Sequence, residues 1–260
     1  MRLMLLALGL CLAIVAASGN PLAREEPAKD FIVNRYLPQP FGPHPAPSAV
    51  DPIAGFREPA AGHRPIMVWY WNADPDQATM RDQIRQMHEA GCGGISILPM
   101  PDSFRKRDFF SGMQTEYLSD EFFGFIRFAV DEAVRAGMQV WLYDEGGWPS
   151  GHALHKVAEG HPDFSGWVLR RTADGVEVAR GGYPADLMNP QAVRRFIDLT
   201  HERYAQFVGH EFGRAVTSVF TDEMRVGGSL GSDTLPWTPD LPRLFRERKG
   251  YDLGPLEALF

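Results

Sequence analysis

Cysteine is nearly absent from this chain. Only Cys11 and Cys92 occur, and Cys11 stands inside an apolar leader that export would remove. A single remaining cysteine cannot close an internal disulfide, so the fold has to hold by burial and hydrogen bonding. Cys92, in AGCGGISIL between a helix end and an apolar strand, reads as a small buried hydrophobe rather than a nucleophile. Excess positive charge is missing too. The formal net charge is −7, and nucleic acid finds no electrostatic footprint. The one long apolar run is Leu3–Ala17, shorter than the ~20 residues that cross a bilayer. Arg2 precedes it and Ala16, Ala17, Ser18 and Gly19 end it, which is the form of a secretory signal. Residues 1–18 are therefore expected to leave on export. The mature chain would be secreted or periplasmic, without stable membrane insertion; an uncleaved anchor is the competing reading. No G-x-G-x-x-G follows the first apolar strand, and the H-E-x-x-H pattern does not occur.

What is present is globular in composition. Hydrophobic residues make up 44% and charged residues 23% of 260 positions, which argues against disorder. Residues 19–64 form a proline-rich extended arm, densest at PQPFGPHPAPSAVDP, with Phe31, Tyr36 and Phe41 as its means of packing on the domain. From Pro65 the pattern changes. IMVWYW fits a buried strand, Asn72–Pro75 a turn, and Asp74 a cap for a helix begun by Pro75. Met80, Ile84, Met87 and His88 recur at helical spacing until Gly91. GGISILP is a second strand. Ser119 caps a further helix, with Asp120 and Glu121 in its first turn, where negative charge is favoured. Its apolar stripe is Phe122, Phe125, Ile126, Ala129, Val130 and Ala133. MQVWLY is a third strand, running into Asp144-Glu145.

GHALHKVAEG suggests a short helix. Residues 163–182 suggest an inserted β-hairpin with its turn at Asp174-Gly175. Asn189-Pro190 opens a long helix through Val193, Phe196, Thr200 and Tyr204. AVTSVF is a fourth strand, ending at Thr221-Asp222-Glu223. Residues 224–260 read as helical segments broken at Gly250, with no further strand.

Four strand–helix alternations predict a parallel sheet with helices outside it. A doubly wound sheet and a (β/α) barrel both fit. Asn72, Pro99-Met100-Pro101, Asp144-Glu145 and Asp222-Glu223 all fall at carboxyl ends of strands, where barrel sites lie. The expectation is α/β of the (β/α) TIM-barrel type. Residues 65–260 would supply the first four units, leaving open sheet edges available for self-association.

LYDEGGWPSG carries the most chemistry. A strand delivers two carboxylates into a glycine-rich loop, and Trp148 offers a flat face for a sugar ring. SVFTDEM delivers a second pair. Carboxylates flanking a cleft suit glycosidic cleavage, one protonating the leaving oxygen and the other activating water or attacking. Successive strand residues face opposite ways, so each pair divides its work. Glu145 and Glu223 are the candidates for chemistry. Asp144 and Asp222 would orient them, bind sugar hydroxyls or help hold a metal. Trp71 and Asn72 are further sugar-contact candidates, although core packing and a turn role compete for them. His152 and His155 have metal-ligand spacing without a matching motif.

WYWN, the helix-to-strand passage Asp76–Gly94, LYDEGGWPSG, DLMNPQAVRRFIDLTHERY and FTDEM occur in that order. Together they resemble the barrel of glycoside hydrolase family 106, the α-L-rhamnosidase-like enzymes, over about residues 65–260. The resemblance implies an oligosaccharide or polysaccharide substrate with terminal α-L-rhamnosyl or similar deoxy-sugar linkages. It implies an inverting mechanism, with Glu145 and Glu223 as acid or base, and a possible calcium dependence whose ligands map onto no motif here. Family members are much longer, so a truncated, non-catalytic or sugar-binding half-barrel is the alternative.

Overall fold

The computed structural model describes residues 52–105, 110–181, 183–227 and 233–260. The expected signal at 1–18, with Cys11, and the arm as far as residue 51, with Phe31, Tyr36 and Phe41, lie outside the described residues. The arm's end forms helix α1 (Pro52–Arg57) and a 3-10 turn at Ala61–His63. The strands that follow are β1 (Ile66–Trp71), β2 (Gly94–Pro99), β3 (Gln139–Tyr143), β4 (Trp167–Thr172), β5 (Gly175–Arg180), β6 (Val216–Phe220) and β7 (Thr234–Trp237). The helices are α2 (Gln77–Glu89), α3 (Asp120–Arg135), α4 (Pro190–Leu199), α5 (His201–Val208) and α6 (Leu241–Lys249).

One sheet runs β1-β2-β3-β6, and every neighbouring pair is parallel. Ile66 stands opposite Gly94 and Gly94 opposite Gln139, while the β3–β6 register shifts between Val140 and Trp141. Strands adjacent in sequence are adjacent in space, joined by helices. The fold is thus α/β with a four-stranded parallel sheet; closure into a barrel is not seen among the described residues.

Alternation along the strands decides the core. Trp69, Trp71, Ile95, Ile97, Val140, Leu142 and Val216 point to one face and are buried there with Met80, Ile84, Phe122, Ile126, Val130, Tyr204 and Val208 from the helices. Helix α3 follows its sequence pattern, and Ser119 Oγ accepts the N–H of Phe122 at 3.1 Å. Helix α2 starts later than expected. Asp76, not Asp74, is its cap, accepting the N–H groups of Ala78 and Thr79. Asp74 instead accepts the N–H groups of Gln114 and Thr115 at 2.7 and 2.6 Å, tying the turn after β1 to the loop before α3. His88 is exposed and takes no part in the core. Buried Glu132 of α3 accepts from Arg81 of α2 and from Arg135.

The helix opened by Asn189-Pro190 divides at Thr200, whose φ is −112° and ψ −79°. The Thr200 hydroxyl bonds the carbonyl of Phe196 at 2.7 Å, which competes with regular helix continuation. The inserted hairpin is present as β4 and β5, paired from Trp167↔Arg180 to Thr172↔Gly175. Strand β7 was not expected in residues 224–260. It pairs with β4 as the edge of a small antiparallel sheet. Pro236 argues against a strand in sequence, but an edge tolerates the missing N–H. Gly250, at φ 78°, ends α6 in the left-handed region. Among the described residues, no helix is long and apolar enough to cross a membrane.

Candidate functional site

The loop after β3 begins with two carboxylates that both turn inward. Asp144 is fully buried. It accepts hydroxyl bonds from Ser150 at 2.5 Å and Thr221 at 2.6 Å, and His201 Nε2 lies 3.7 Å away. Burial pushes the Asp144 carboxyl up and the His201 imidazole down, each opposed by the charge of the other. Glu145 is also fully buried. Its Oε1 accepts from Gly146 N at 3.0 Å and Leu154 N at 2.5 Å; its Oε2 accepts from His152 N at 3.1 Å and Ala153 N at 2.7 Å. Burial pushes its pKa up to about 7 against the pull of these four N–H groups.

The same loop corrects the helix expected at GHALHKVAEG. Ala153, Leu154 and His155 have φ of 51°, 53° and 68°, a left-handed turn. L-residues adopt this at a cost of roughly 1–2 kcal/mol each. The turn aims its N–H groups at Glu145, and that convergence compensates for the strain. Glycines shape the rest. Gly147, at φ 84°, leaves no room for a Cβ, which would stand 2.4 Å from the Phe104 ring.

A groove of about 420 Å³ lies on the sheet face away from the helices. Its floor includes Val68, Tyr70, Leu98, Trp141 and Tyr143, and its carboxyl-end rim carries Trp148, Phe220, Asp222 and Glu223. Asp222 is half-buried; it accepts the Tyr143 hydroxyl at 2.7 Å and gives its N–H to Ser150 Oγ at 2.9 Å. Burial, and then the Asp222 contact, push the Tyr143 phenol up, so it stays a donor. Glu223 is exposed, has φ 35°, and lies 3.6 Å from the Arg225 guanidinium. Trp148 is half-buried against Phe104, with ring centroids 5.1 Å apart, and the Arg105 guanidinium lies 4.9 Å from its ring. A second hollow of about 650 Å³, past Pro101, holds the Lys156–Glu116 ion pair at 2.7 Å and, of the candidates named from sequence, only His155.

The structure therefore brings Trp148, Asp222 and Glu223 to one groove and leaves the other candidates elsewhere. Glu145 is removed from the surface, and all its acceptor capacity is spent on backbone, so it is an anchor for the loop. Asp144 lies beneath the groove, bonded to its supports. Trp71 is corrected from sugar contact to core: it is 3% exposed and packs edge-on against Trp69 and Phe122. Trp69 and Trp71 of β1 face the helices, which the strand's aromatic composition alone did not reveal. Asn72 is exposed at the end of β1, where its carbonyl lies 2.5 Å from a Cβ built on Gly112. His152 uses Nδ1 to accept the His155 N–H at 3.0 Å, and burial, then His155, lower its pKa to about 4. Among the described residues no group of three or more His, Cys, Asp or Glu gathers to hold a metal.

Tyr143, Ser150, Thr221 and His201 were not singled out in sequence. Tyr143 had a signal: it immediately precedes an acidic pair, as Phe220 nearly does, and the two rings stack at 5.5 Å across β3 and β6. Ser150, Thr221 and His201 had none, because their partner Asp144 is reached only through the fold.

No family model matches the chain, and no curated protein matches it. Among solved structures, a rhamnosidase from Novosphingobium sp. PP1Y is similar at 21% identity and a TM-score of 0.35, over 45% of this chain. The chain spans 11% of that protein's length.

Proposed function

We propose that the chain is a glycoside hydrolase module that takes a terminal α-L-rhamnosyl or similar deoxy-sugar unit of an oligosaccharide or polysaccharide. The observation that carries this reading is the groove rim, where Trp148, Asp222 and Glu223 stand together at the carboxyl ends of parallel strands. An aromatic face and charged acceptors are what a sugar needs for stacking and hydroxyl binding. In an inverting cleavage, one carboxylic acid protonates the leaving oxygen and a carboxylate ~6.5–9.5 Å away activates water. Glu223 has the access for such a role, and Asp222, held by Tyr143, has the fixed geometry. The leader at residues 1–18 supports action outside the cytoplasm.

A second reading is favoured by Glu145. Its four backbone donors leave no carboxylate free on the β3 side of the groove, so the chain would bind sugar without turning it over. One experiment covers both. The full chain is assayed on an aryl α-L-rhamnoside, beside Glu223→Gln and Trp148→Ala, and titrated with L-rhamnose by tryptophan fluorescence. Turnover lost in Glu223→Gln supports the hydrolase. Binding without turnover, lost in Trp148→Ala, supports the second reading. Neither turnover nor binding removes both.

A further inference from the structure

Strained backbone that its surroundings hold in place collects where a protein meets a ligand. Ala153, Leu154 and His155 keep φ of 51°, 53° and 68°. The buried Glu145 carboxylate accepts the N–H groups of His152, Ala153 and Leu154 and so fixes that turn. What the turn presents is Leu154, His155 and Lys156, and all three line the hollow of about 650 Å³ past Pro101. The hollow lies between the loops that follow β2 and β3, and its volume is that of a small-molecule site.

Its other wall is fixed as firmly. Pro101 bridges to Met113, the Asp102 N–H reaches Met113 O at 3.0 Å, and Asp74 holds the N–H groups of Gln114 and Thr115. Lys156 Nζ, 2.7 Å from Glu116 Oε1, joins the two walls. The lining narrows the occupant. Lys156 and Glu116 balance each other, while Asp102 and Glu159 add negative charge, which opposes phosphates and acidic sugars. Among the described residues, the Asp102 and Glu159 carboxylates and the Ser103 hydroxyl take part in no side-chain hydrogen bond, so they are open to the hydroxyls of a ligand. Pro101 and Leu154 give an apolar patch for the C–H face of a ring. A neutral ring carrying hydroxyls, which both donate and accept, matches this set.

One short segment separates the hollow from the groove rim. Pro101, Asp102 and Ser103 line the hollow, while the Phe104 ring and the Arg105 guanidinium pack on Trp148 at 5.1 and 4.9 Å. We propose that the hollow holds a neutral sugar unit, the next along the ligand from the unit at the groove rim, so that an oligosaccharide bridges the segment 101–105. The bridging rests on the reading that the groove takes a sugar.

Calorimetric titration of the full chain tests this with L-rhamnose, with a neutral trisaccharide ending in α-L-rhamnose, and with its counterpart bearing a uronic acid in the second unit. Asp102→Ala and His155→Gly change one wall each, and glycine keeps the left-handed turn. The parent should bind the neutral trisaccharide more tightly than L-rhamnose and more tightly than the acidic counterpart. Each variant should weaken the neutral trisaccharide about tenfold, the worth of one or two hydrogen bonds, and leave L-rhamnose unchanged. A trisaccharide bound no better than L-rhamnose, one that keeps its affinity in either variant, or an acidic counterpart bound as well as the neutral one overturns the proposal. Failure of the groove alone looks different. L-rhamnose would not bind and Trp148→Ala would change nothing, while the trisaccharide would still weaken in both hollow variants.

Discussion

Glu145 and His152 face one another in the interior, with Oε2 3.9 Å from Nδ1. The contact is not an ion pair. His152 Nδ1 accepts the His155 N–H, which requires an unprotonated ring nitrogen there. Burial moves the two groups in opposite senses, Glu145 up to about 7 and His152 down to about 4, from usual values of 4.5 and 6.5.

These opposite shifts predict a cancellation. Between pH 4.5 and 6.5 the unfolded chain carries its proton on the histidine, and the folded chain carries it on the glutamate. The proton counts match, so this pair contributes little pH dependence there. His152→Asn, which keeps an acceptor for His155, isolates the glutamate. Its folded pKa is raised, so stability should fall as pH rises from about 4.5 to about 7, by roughly 3 kcal/mol. Glu145→Gln isolates the histidine. Its folded pKa is depressed, so stability should be complete above 6.5 and fall by roughly 3 kcal/mol as pH drops to about 4. Urea midpoints across this range test it; slopes of the same sign in the two variants refute it.

Glu145 should also be an anchor first. Glu145→Ala leaves four buried or partly buried N–H groups without their acceptor and should cost about 3–5 kcal/mol. Glu145→Gln retains one carbonyl oxygen but turns an amide donor toward two others, and should cost less than the alanine change. Denaturant unfolding at pH 8 keeps the His152 contribution constant. If Glu145→Ala unfolds like the parent while turnover is lost, the residue acts in chemistry and not in the loop.

Much of the α/β layer was legible because it rests on local rules. The third helix had its cap at Ser119 and its stripe, the strands had apolar runs, and the hairpin had its Asp-Gly turn. The site was legible only as far as strand ends go. Sequence placed Asp144-Glu145 and Asp222-Glu223 at equivalent ends, which the fold repeats. It could not say that the first pair would be swallowed by its own loop. That depends on three consecutive left-handed residues, Ala153, Leu154 and His155, a conformation no L-residue favours and no local pattern announces. Strand β7 was hidden for a related reason, since its pairing partner β4 lies far back in the chain.

Two tryptophans that looked alike in sequence should separate in experiment. Trp71 is core, so Trp71→Ala should cost about 3–5 kcal/mol of stability. Trp71→Phe should cost less and keep sugar binding. Trp148 is half-buried on the groove rim. Trp148→Ala should destabilise less than Trp71→Ala and abolish the sugar-dependent change in fluorescence. Equal losses of stability with binding intact in both would remove Trp148 from the proposed sugar site.

Ser150 joins the two acidic loops and should be worth more than a surface serine. Its hydroxyl donates to Asp144 at 2.5 Å and accepts the Asp222 N–H at 2.9 Å, while its own N–H reaches the Asp222 carbonyl at 2.7 Å. Ser150→Ala keeps only the backbone bond. One oxygen of a fully buried carboxylate and one half-buried N–H then lose a partner, a loss of about 2–4 kcal/mol. Thr221→Ala removes the other hydroxyl on Asp144 and leaves Asp222 held, so it should cost less. The pair also reads out position. Ser150→Ala should weaken L-rhamnose binding because Asp222 is released from the β3 loop, and Thr221→Ala should not. Binding weakened equally by both changes would place the effect in Asp144 rather than in the tether to Asp222.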